Sequence, residues 1–308
     1  MDDARNQSAH GHPVPQNWKR DELVARILRR WRVLTGDKHT RDDQRKTLVA
    51  CSGGADSVAL AFAISRIPDS CVIAHIRHDI RSEPETLHDQ QLVNDLADEW
   101  GVECVTRDLR VRNLPGNLES NARAGRYAIL KEIARTRQCA FIATGHHADD
   151  QLETLIMSMM RGSGIRGMSG MSPKSLREGI EIIRPMLAIT HTAIIELLER
   201  AKIPWREDPS NADTSLLRNR IRHEAIPVLR SICPEIATRA SAWASDLESV
   251  EDLLGGHLDE LFARNRTPGG NHLGPGGVSY LPGSGDWIGS SACVCQSMSR
   301  QRAGHDHA

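Results

Sequence analysis

Long apolar runs are missing from this sequence. No stretch of its 308 residues approaches the roughly 20 apolar residues that a membrane-spanning helix requires. The first residues, Met1-Asp2-Asp3, are acidic, and no apolar segment follows them in the manner of a secretory signal. These absences predict a cytoplasmic protein without a membrane partner.

Paired cysteines are missing too. The seven cysteines are scattered, and no two of them form a CxxC motif. Cys293 and Cys295 are separated by only one residue. Four cysteines lie in or beside apolar strand candidates, where a thiol behaves as a small buried hydrophobe in a reducing compartment. These four are Cys51, Cys71, Cys104 and Cys139.

Excess charge of either sign is also absent, since the formal net charge is −1. The charges are nevertheless unevenly distributed. Residues 161–177 contain four basic residues and no acid, and residues 216–230 contain four arginines against the single acid Glu224. Such segments are either ordinary solvated faces or a local surface for a polyanion.

The two common phosphate-binding motifs, GxxxxGK[ST] and GxGxxG, do not occur. A different glycine turn is present, Cys51-Ser52-Gly53-Gly54-Ala55-Asp56-Ser57, between the apolar segments 47–50 and 58–64. A buried strand therefore enters this turn and a helix leaves it. That arrangement directs unpaired backbone N–H groups and the positive end of a helix dipole at one point, as a phosphate requires.

The side chains of this turn refine the prediction. Gly53 and Gly54 permit backbone angles and a close approach that a Cβ atom would prevent. Ser52 and Ser57 add hydroxyl donors, whereas Asp56 suits a phosphate only if a cation lies between them. The turn predicts a nucleotide site with a metal ion; an ordinary glycine-rich turn is the alternative.

Apolar segments alternate between strand and helix length along the first two thirds of the chain. The strand candidates are continuous apolar runs, as expected when helices cover both faces of a sheet. Predicted strands are residues 47–51, 71–76, 102–106, 139–144 and 180–183. Predicted helices are residues 23–33, 56–67, 84–100, 118–137, 149–160 and 190–202. The fold class is therefore α/β, a doubly wound parallel sheet with its ligands at the carboxyl ends of the strands.

Four regions follow from this pattern. Residues 1–17 are polar and aperiodic and predict a disordered extension, and residues 18–213 form the sheet domain. Residues 214–254 contain helix candidates and no strand candidate, which predicts a small helical domain. Residues 255–308 contain 11 of the 24 glycines and predict a disordered tail.

An acidic helix follows the fourth strand. Asp150 and Glu153 are three residues apart, so both carboxylates share one helical face, which looks into the same crevice as the glycine turn. Such a pair can hold Mg²⁺ on phosphates or receive an ammonium group. The alternative is a helix whose first turn carries acids to favour its own dipole, which accounts for Asp149.

The turn matches SGGxDS, the signature of the PP-loop ATP pyrophosphatases, whose fold is the adenine nucleotide α-hydrolase type. Over residues 45–230 the chain further resembles one branch of them, the tRNA(Ile)-lysidine synthetases. Five ordered segments carry this resemblance: His75 to Arg81, Asn117 to Tyr127, Gly145 to Thr154, Arg161 to Met171, and Trp205 to Asn211 followed by Arg218 to Arg222.

The resemblance implies a role for individual residues. ATP would contact Ser52, Gly53, Gly54, Ala55, Asp56, Ser57, His75, Arg81, Gly145 and His146. Asp56, Asp150, Glu153 and Arg126 would be catalytic, with Mg²⁺ on Asp56 and Asp150. Arg161, Arg166, Arg218, Arg220 and Arg222 would contact RNA.

The implied reaction has two steps and three substrates: ATP, free L-lysine and the isoleucine tRNA with anticodon CAU. The wobble cytidine is first adenylated at its C2 oxygen with release of pyrophosphate. The ε-amine of lysine then attacks C2 and expels AMP. Two alternatives stay open, a PP-loop tRNA thiolation enzyme and a non-catalytic nucleotide-binding regulator. The sequence also leaves open whether the chain forms a homodimer.

Overall fold

The structure is a computed structural model that describes residues 18–80, 83–207, 216–264, 272–273 and 279–280. The predicted extension 1–17 and most of the predicted tail lie outside the described residues. The chain divides into two compact units, one ending at Glu248 and the other beginning at Ser249. The predicted domain boundary at residue 213 is not tested by this division and stays a prediction.

A six-stranded sheet organises the first unit. Its strands are β1 Thr47–Ala50, β2 Cys71–His78, β3 Cys104–Leu109, β4 Phe141–Ala143, β5 Lys174–Arg177 and β6 Ile180–Ile183. Their order across the sheet is β3-β2-β1-β4-β6-β5, and every pairing except the last is parallel. The predicted parallel sheet is confirmed.

Two strands at the edges of this sheet differ from the prediction. β5 pairs antiparallel with β6 and is mostly exposed, so its sequence has no apolar run to reveal it. β3 continues through polar residues to Leu109, because its backbone pairs along β2 as far as His78. An edge strand needs only one buried face, and hydropathy alone is a weak guide to its length.

Ten α-helices are described: α1 Glu22–Thr35, α2 Ala55–Ser65, α3 Glu83–Trp100, α4 Leu118–Thr136, α5 Ala148–Met160, α6 Ile165–Met168, α7 His191–Ala201, α8 Leu217–Arg220, α9 Ile226–Ile232 and α10 Ile236–Arg264. A π-helical turn over Ile221–Ala225 joins α8 to α9. Side chains cap four of them at their first turns, Asp21 on α1, Asn117 on α4, His147 on α5 and Thr190 on α7.

Apolar side chains cover both faces of the sheet. On one face, residues of α1, α2, α3 and α7 form a single buried cluster that includes Trp31 and Phe62. On the other face, Tyr127, Leu130 and Ile133 of α4 pack on the strands. This is the doubly wound arrangement that the continuous apolar strands predict.

The helices after residue 216 pack on the acidic helix α5. Ala148, Leu152 and Leu155 of α5 form a buried cluster with Ile221 and Ile226. Two short strands, β7 His272–Leu273 and β8 Ser279–Tyr280, pair antiparallel in the second unit. Within the described residues, no helix has the length and apolar content needed to cross a bilayer.

The strand order decides where the functional residues meet. β1 is hydrogen-bonded to β2 on one side and to β4 on the other, all in parallel. The loops that follow these three strands therefore emerge side by side at one edge of the sheet. The loop after β1 contains the glycine turn, and the loop after β4 leads into α5.

Candidate active site

A cleft of about 920 Å³ lies at this edge of the sheet. The glycine turn, the end of β2, the first turn of α5 and the helices after residue 216 contribute its walls. Twelve of the lining residues are ones that the sequence singled out: Ser52, Gly54, Ala55, Asp56, Ser57, His75, Arg126, Gly145, His146, Asp150, Glu153 and Arg222. The predicted crevice therefore brings together residues that are far apart in the chain.

The turn after β1 is organised around the hydroxyl of Ser57. Its Oγ accepts a hydrogen bond from the Ser52 backbone N–H at 3.1 Å and donates to the Gly54 carbonyl at 2.9 Å. Gly53 has φ of +94°, a left-handed conformation that side chains with a Cβ rarely adopt. The Arg206 N–H donates to the Gly53 carbonyl at 2.9 Å and ties the turn to the chain beyond α7.

Gly145 is required by a close approach of two backbones. A Cβ atom at this position would lie 3.0 Å from the Asp56 carbonyl carbon and 3.0 Å from the Ser57 nitrogen. The end of β4 consequently packs directly on the first turn of α2. This contact sets the distance between the glycine turn and the acidic helix.

Asp56 accepts hydrogen bonds from two histidines. His191 Nδ1 lies 2.8 Å from Asp56 Oδ1, and His147 Nε2 lies 3.5 Å from the same oxygen. Burial by itself would raise the pKa of Asp56, but the hydrogen bonds and positive charge of His147 and His191 hold it well below its ordinary value. Asp56 is therefore an anion at neutral pH.

His147 is buried among three carboxylates. Its Nε2 lies 3.5 Å from Asp56 and 3.5 Å from Asp150, and its Nδ1 lies 3.6 Å from Asp149. Burial lowers the pKa of His147, but the bond to Asp56 and the neighbouring carboxylate charges outweigh it and raise the pKa to about 9. The Asp149 backbone N–H lies 3.2 Å from Nδ1. An imidazolium cannot accept this bond, so in the protonated ring Nδ1–H turns to the Asp149 carboxylate.

The acid pair on α5 is occupied by two arginines. Arg218 Nε and Arg222 Nε each lie 2.6 Å from a different oxygen of Glu153, whose side chain is 0% exposed. Their other donors reach Asp150 Oδ1 at 2.9 and 3.3 Å. Burial would raise the pKa of Asp150, but His147 and Arg218 hold it below its ordinary value. The face is thus a buried, charge-balanced network.

A model of the PP-loop domain matches residues 25–229 of this chain, two thirds of its length. The chain belongs to the PP-loop domain family. That match spans the glycine turn, the acidic helix and the arginines that cover it. The resemblance to the PP-loop family that the sequence motifs predicted is confirmed.

Within the PP-loop family, the chain is similar in sequence to curated proteins of one kind. A tRNA(Ile)-lysidine synthase from Geobacter sulfurreducens is 33% identical over 249 residues, which is 79% of this chain and 52% of the relative. One from Treponema denticola is 36% identical over 233 residues, covering 72% and 48% of the two chains. The chain spans about half the length of these relatives.

One solved PP-loop structure supports the fold. The U34-tRNA thiolase NcsA from Methanococcus maripaludis, with its [4Fe-4S] cluster, superposes with a TM-score of 0.56 at 18% identity. The superposition covers 73% of this chain and 79% of that one. At this identity the likeness concerns the fold alone.

The residues predicted to enclose ATP take different positions around the cleft. His75 is buried, and its Nδ1–H donates to the Cys51 carbonyl at 2.9 Å, which fixes the end of β1. His146 Nδ1 lies 2.8 Å from Thr144 Oγ1, and burial lowers the pKa of His146 to about 4. Arg126 lines the cleft from α4. Arg81 lies outside the described residues.

The five predicted RNA-binding arginines do not form one surface. Arg218 and Arg222 face the acid pair, and Arg220 is exposed and paired with Glu224 at 3.3 Å. Arg161 is exposed, with a 3.4 Å contact from its Nη2 to Ser158. Arg166 belongs to α6, and its side chain lies outside the described residues. Their roles toward RNA stay predictions.

Sequence reasoning missed three residues of the site, His147, Asp149 and His191. Asp149, attributed above to the helix dipole, is 5% exposed and accepts hydrogen bonds from the His191 backbone N–H at 2.7 Å and from Arg230. His191 begins α7 and reaches Asp56 across 135 residues of chain. His147 and Asp149 stand beside His146 and Asp150, which were predicted, so the sequence carried a partial signal for them, but nothing local indicated His191.

The carboxylates of Asp56 and Asp150, the two predicted magnesium ligands, are bonded to other side chains and backbone groups in the structure. Asp150 Oδ1 accepts from both arginines, and Oδ2 accepts from the His147 backbone N–H at 3.1 Å. Asp56 is grouped with histidines instead. The two carboxylates therefore do not form the oxygen-only environment that Mg²⁺ prefers. Mg²⁺ at these two residues stays a prediction.

Proposed function

We propose that this chain carries the ATP-dependent ligation chemistry of a cytoplasmic tRNA(Ile)-lysidine synthase. One observation supports this above the others: a single cleft contains both the glycine turn, suited to a phosphate, and the Asp150–Glu153 pair, suited to an ammonium group. The family match and the names of the curated relatives support the same activity.

In the first step, the C2 oxygen of the wobble cytidine attacks the α-phosphorus of ATP, and pyrophosphate leaves. The Ser52–Ser57 turn and the amino end of α2 would hold the departing pyrophosphate, since backbone N–H groups and a helix dipole stabilise the developing negative charge. Arg126 on α4, which lines the same cleft, would supply positive charge. The cytidine must be unstacked to enter, as is usual for RNA recognition at single-stranded loops.

In the second step, the neutral ε-amine of lysine attacks C2, the C2–O bond breaks and AMP leaves. Asp150 and Glu153 would hold the incoming ammonium and accept its proton. Arg218 and Arg222 already occupy these carboxylates. Lysine binding at this face therefore requires that at least one guanidinium withdraws from Glu153.

The thiolation alternative is disfavoured by the environments of the four cysteines in and beside the sheet. Burial raises the pKa of Cys71 and Cys104 to about 12 and that of Cys139 to about 11. Burial also raises the pKa of Cys51. Sulfur carriers and cluster ligands act as thiolates, which these environments oppose.

The proposal is tested by incubating the full chain with ATP, radiolabelled lysine and isoleucine tRNA of anticodon CAU. We expect lysine label on the RNA and release of AMP and pyrophosphate. Asp56→Asn should abolish pyrophosphate release, because the change removes the anion that the cleft is built around while preserving shape. Asp95→Asn, an exposed position on α3, is the matched control and should keep full activity.

Three outcomes would contradict the proposal. Incorporation of sulfur instead of lysine would favour thiolation. ATP binding without pyrophosphate release would favour a nucleotide-binding regulator. Full activity of Asp56→Asn with unchanged melting would remove Asp56 from the mechanism.

A further inference from the structure

Three potential metal ligands converge inside the cleft. Asp56, His147 and His191 each offer one donor atom, and these atoms all lie within 4.8 Å of one another. No other such group of three is found in the part of the chain that the structure describes. The ligands come from the first turn of α2, the residue before α5 and the first residue of α7. The tertiary fold, and no local motif, creates the group.

Two of the three separations between donor atoms can be compared with those around a four-coordinate ion. Bonds of about 2.0–2.1 Å to a tetrahedral ion place neighbouring donors about 3.3 Å apart. His147 Nε2 and Asp56 Oδ1 are 3.5 Å apart, close to this value. His191 Nδ1 and Asp56 Oδ1 are 2.8 Å apart and must separate by about half an ångström. The His191 side chain is 45% exposed and has room to move.

A buried carboxylate, Asp149, lies next to both histidines. Metal-bound histidine commonly donates its second ring N–H to a carboxylate, which fixes the ring and its tautomer. Asp149 Oδ2 lies 3.6 Å from His147 Nδ1 and accepts the His191 backbone N–H at 2.7 Å. Nδ1 accepts the Asp149 backbone N–H at 3.2 Å, so binding of an ion at Nε2 requires this bond to break and Nδ1–H to turn to the Asp149 carboxylate. Arg230 binds the other oxygen, Oδ1. With an ion bound, Asp149 would hold His147 through its ring and His191 through its backbone.

An Asp–His hydrogen bond is the competing explanation for this cluster. A single histidine would satisfy it, however, and here two imidazoles approach the same carboxylate oxygen with their ring centroids 5.3 Å apart. All three residues also line the cleft, so a ligand in the cleft can reach them. Two imidazoles with one carboxylate and an accessible remaining position is the composition of catalytic zinc sites.

We propose that Asp56, His147 and His191 bind a divalent transition-metal ion of the zinc class. Mg²⁺ is disfavoured because imidazole nitrogen suits Zn²⁺, Co²⁺ and related ions, whereas Mg²⁺ prefers oxygen ligands. The remaining coordination position faces the cleft and would accept water or another oxygen ligand. This site does not depend on the ligase activity proposed above.

The test measures metal binding directly, with Co²⁺ as a spectroscopic probe and Zn²⁺ as competitor. It uses the untagged full chain with the terminal histidines replaced, because they could bind metal independently. The replacements are His10→Ala, His12→Ala, His305→Ala and His307→Ala. We expect about one Co²⁺ per chain with the strong visible absorption of a four-coordinate ion, displaced by Zn²⁺ and not by a large excess of Mg²⁺.

Two variants and a control localise the ion. His191→Ala should weaken Co²⁺ binding by more than tenfold, because a ligand is lost from a half-exposed position that leaves the core intact. Asp149→Asn should weaken it about tenfold, in the range found for residues that orient ligands. His88→Ala removes an exposed histidine outside the cleft and should have no effect.

The proposal fails if His191→Ala binds Co²⁺ as tightly as the parent while melting at the same temperature. It also fails if Mg²⁺ displaces Co²⁺ at equal concentration, or if His88→Ala reproduces the loss. Absence of lysine transfer in the ligation assay would leave these binding results unchanged. Failure of the metal site and failure of the ligase proposal are therefore distinguishable.

Discussion

Two arginine-rich regions look alike in the sequence and differ in the structure. Arg161 follows α5 in a glycine-rich segment, is exposed, and has a 3.4 Å contact with Ser158. Arg218 and Arg222 are only about a third exposed, and each places its Nε 2.6 Å from Glu153. The first region presents a cation to solvent, and the second neutralises a buried acid.

The difference shows that a basic segment does not by itself indicate an available cation. Glu153 is completely buried, so its charge requires partners, and the arginines provide them. An exposed arginine is solvated by water and needs no buried counter-ion, so it can exchange its contacts with little change in the free energy of folding. Arg161 can therefore bind RNA phosphate as it stands, whereas Arg218 and Arg222 would first have to leave the acids that they neutralise.

The largest expected effect is on stability. Arg218→Met with Arg222→Met leaves Glu153 buried and uncompensated, and should lower the free energy of unfolding by about 3 kcal/mol or more. Arg161→Met, the matched change in the exposed region, should cost less than about 0.5 kcal/mol. Urea unfolding measures both. Adding Glu153→Gln to the double variant should recover part of the loss, and equal losses in the two regions would refute the comparison.

His147 is the third cation of the buried network, and its raised pKa implies that the stability of the protein depends on pH. Its pKa is raised to about 9 in the folded protein, against an ordinary value near 6.5. The folded state therefore holds this proton after the unfolded state has lost it. The contribution is complete below about pH 6.5 and is lost as pH rises through about 9, and it amounts to as much as about 3 kcal/mol.

Urea unfolding between pH 6 and pH 10 tests this dependence. His147→Gln should flatten the decline relative to the parent protein, since the titrating group is gone. Arg161→Met should leave the decline unchanged, because Arg161 is outside the network. A parent protein whose stability rises over this range would contradict the assignment.

A smaller effect concerns lysine and rests on the proposed function. Glu153→Gln removes a charge-assisted hydrogen bond and should raise the lysine concentration for half-maximal rate about tenfold, equivalent to about 1.4 kcal/mol. Pyrophosphate release should be less affected, because the first step needs no amine. Glu196→Gln, an exposed position on α7, is the control. An unchanged lysine requirement would separate Glu153 from the amine.

The smallest expected effect is on RNA binding at the exposed region. Arg161→Ala should reduce the slope of log affinity against log salt concentration by about one unit, since one phosphate contact is lost. Arg220→Ala should reduce it less, because Arg220 already pairs with Glu224. Filter binding of the isoleucine tRNA across salt concentrations measures both slopes. A loss of ATP affinity with an unchanged RNA slope would assign Arg161 to the nucleotide site.

Short-range sequence patterns were sufficient to predict the parallel strands of the sheet and the glycine turn. The strand that precedes Ser52 and the helix that follows it are continuous apolar segments, and Gly53 adopts the positive φ that its residue type permits. The face shared by Asp150 and Glu153 follows from helical spacing alone. β5 escaped prediction because an exposed edge strand leaves no apolar signal.

The sequence by itself determined the family, the parallel sheet and the residue types that face the cleft, because these depend on local runs and on ordered motifs. Only the tertiary structure decided the charge partners. Asp149 meets His191 across 42 residues and Arg230 across 81, and Asp56 meets His191 across 135. A sequence shows the sign of each charge, but the choice between water and a buried counter-ion depends on packing, which brings distant segments together.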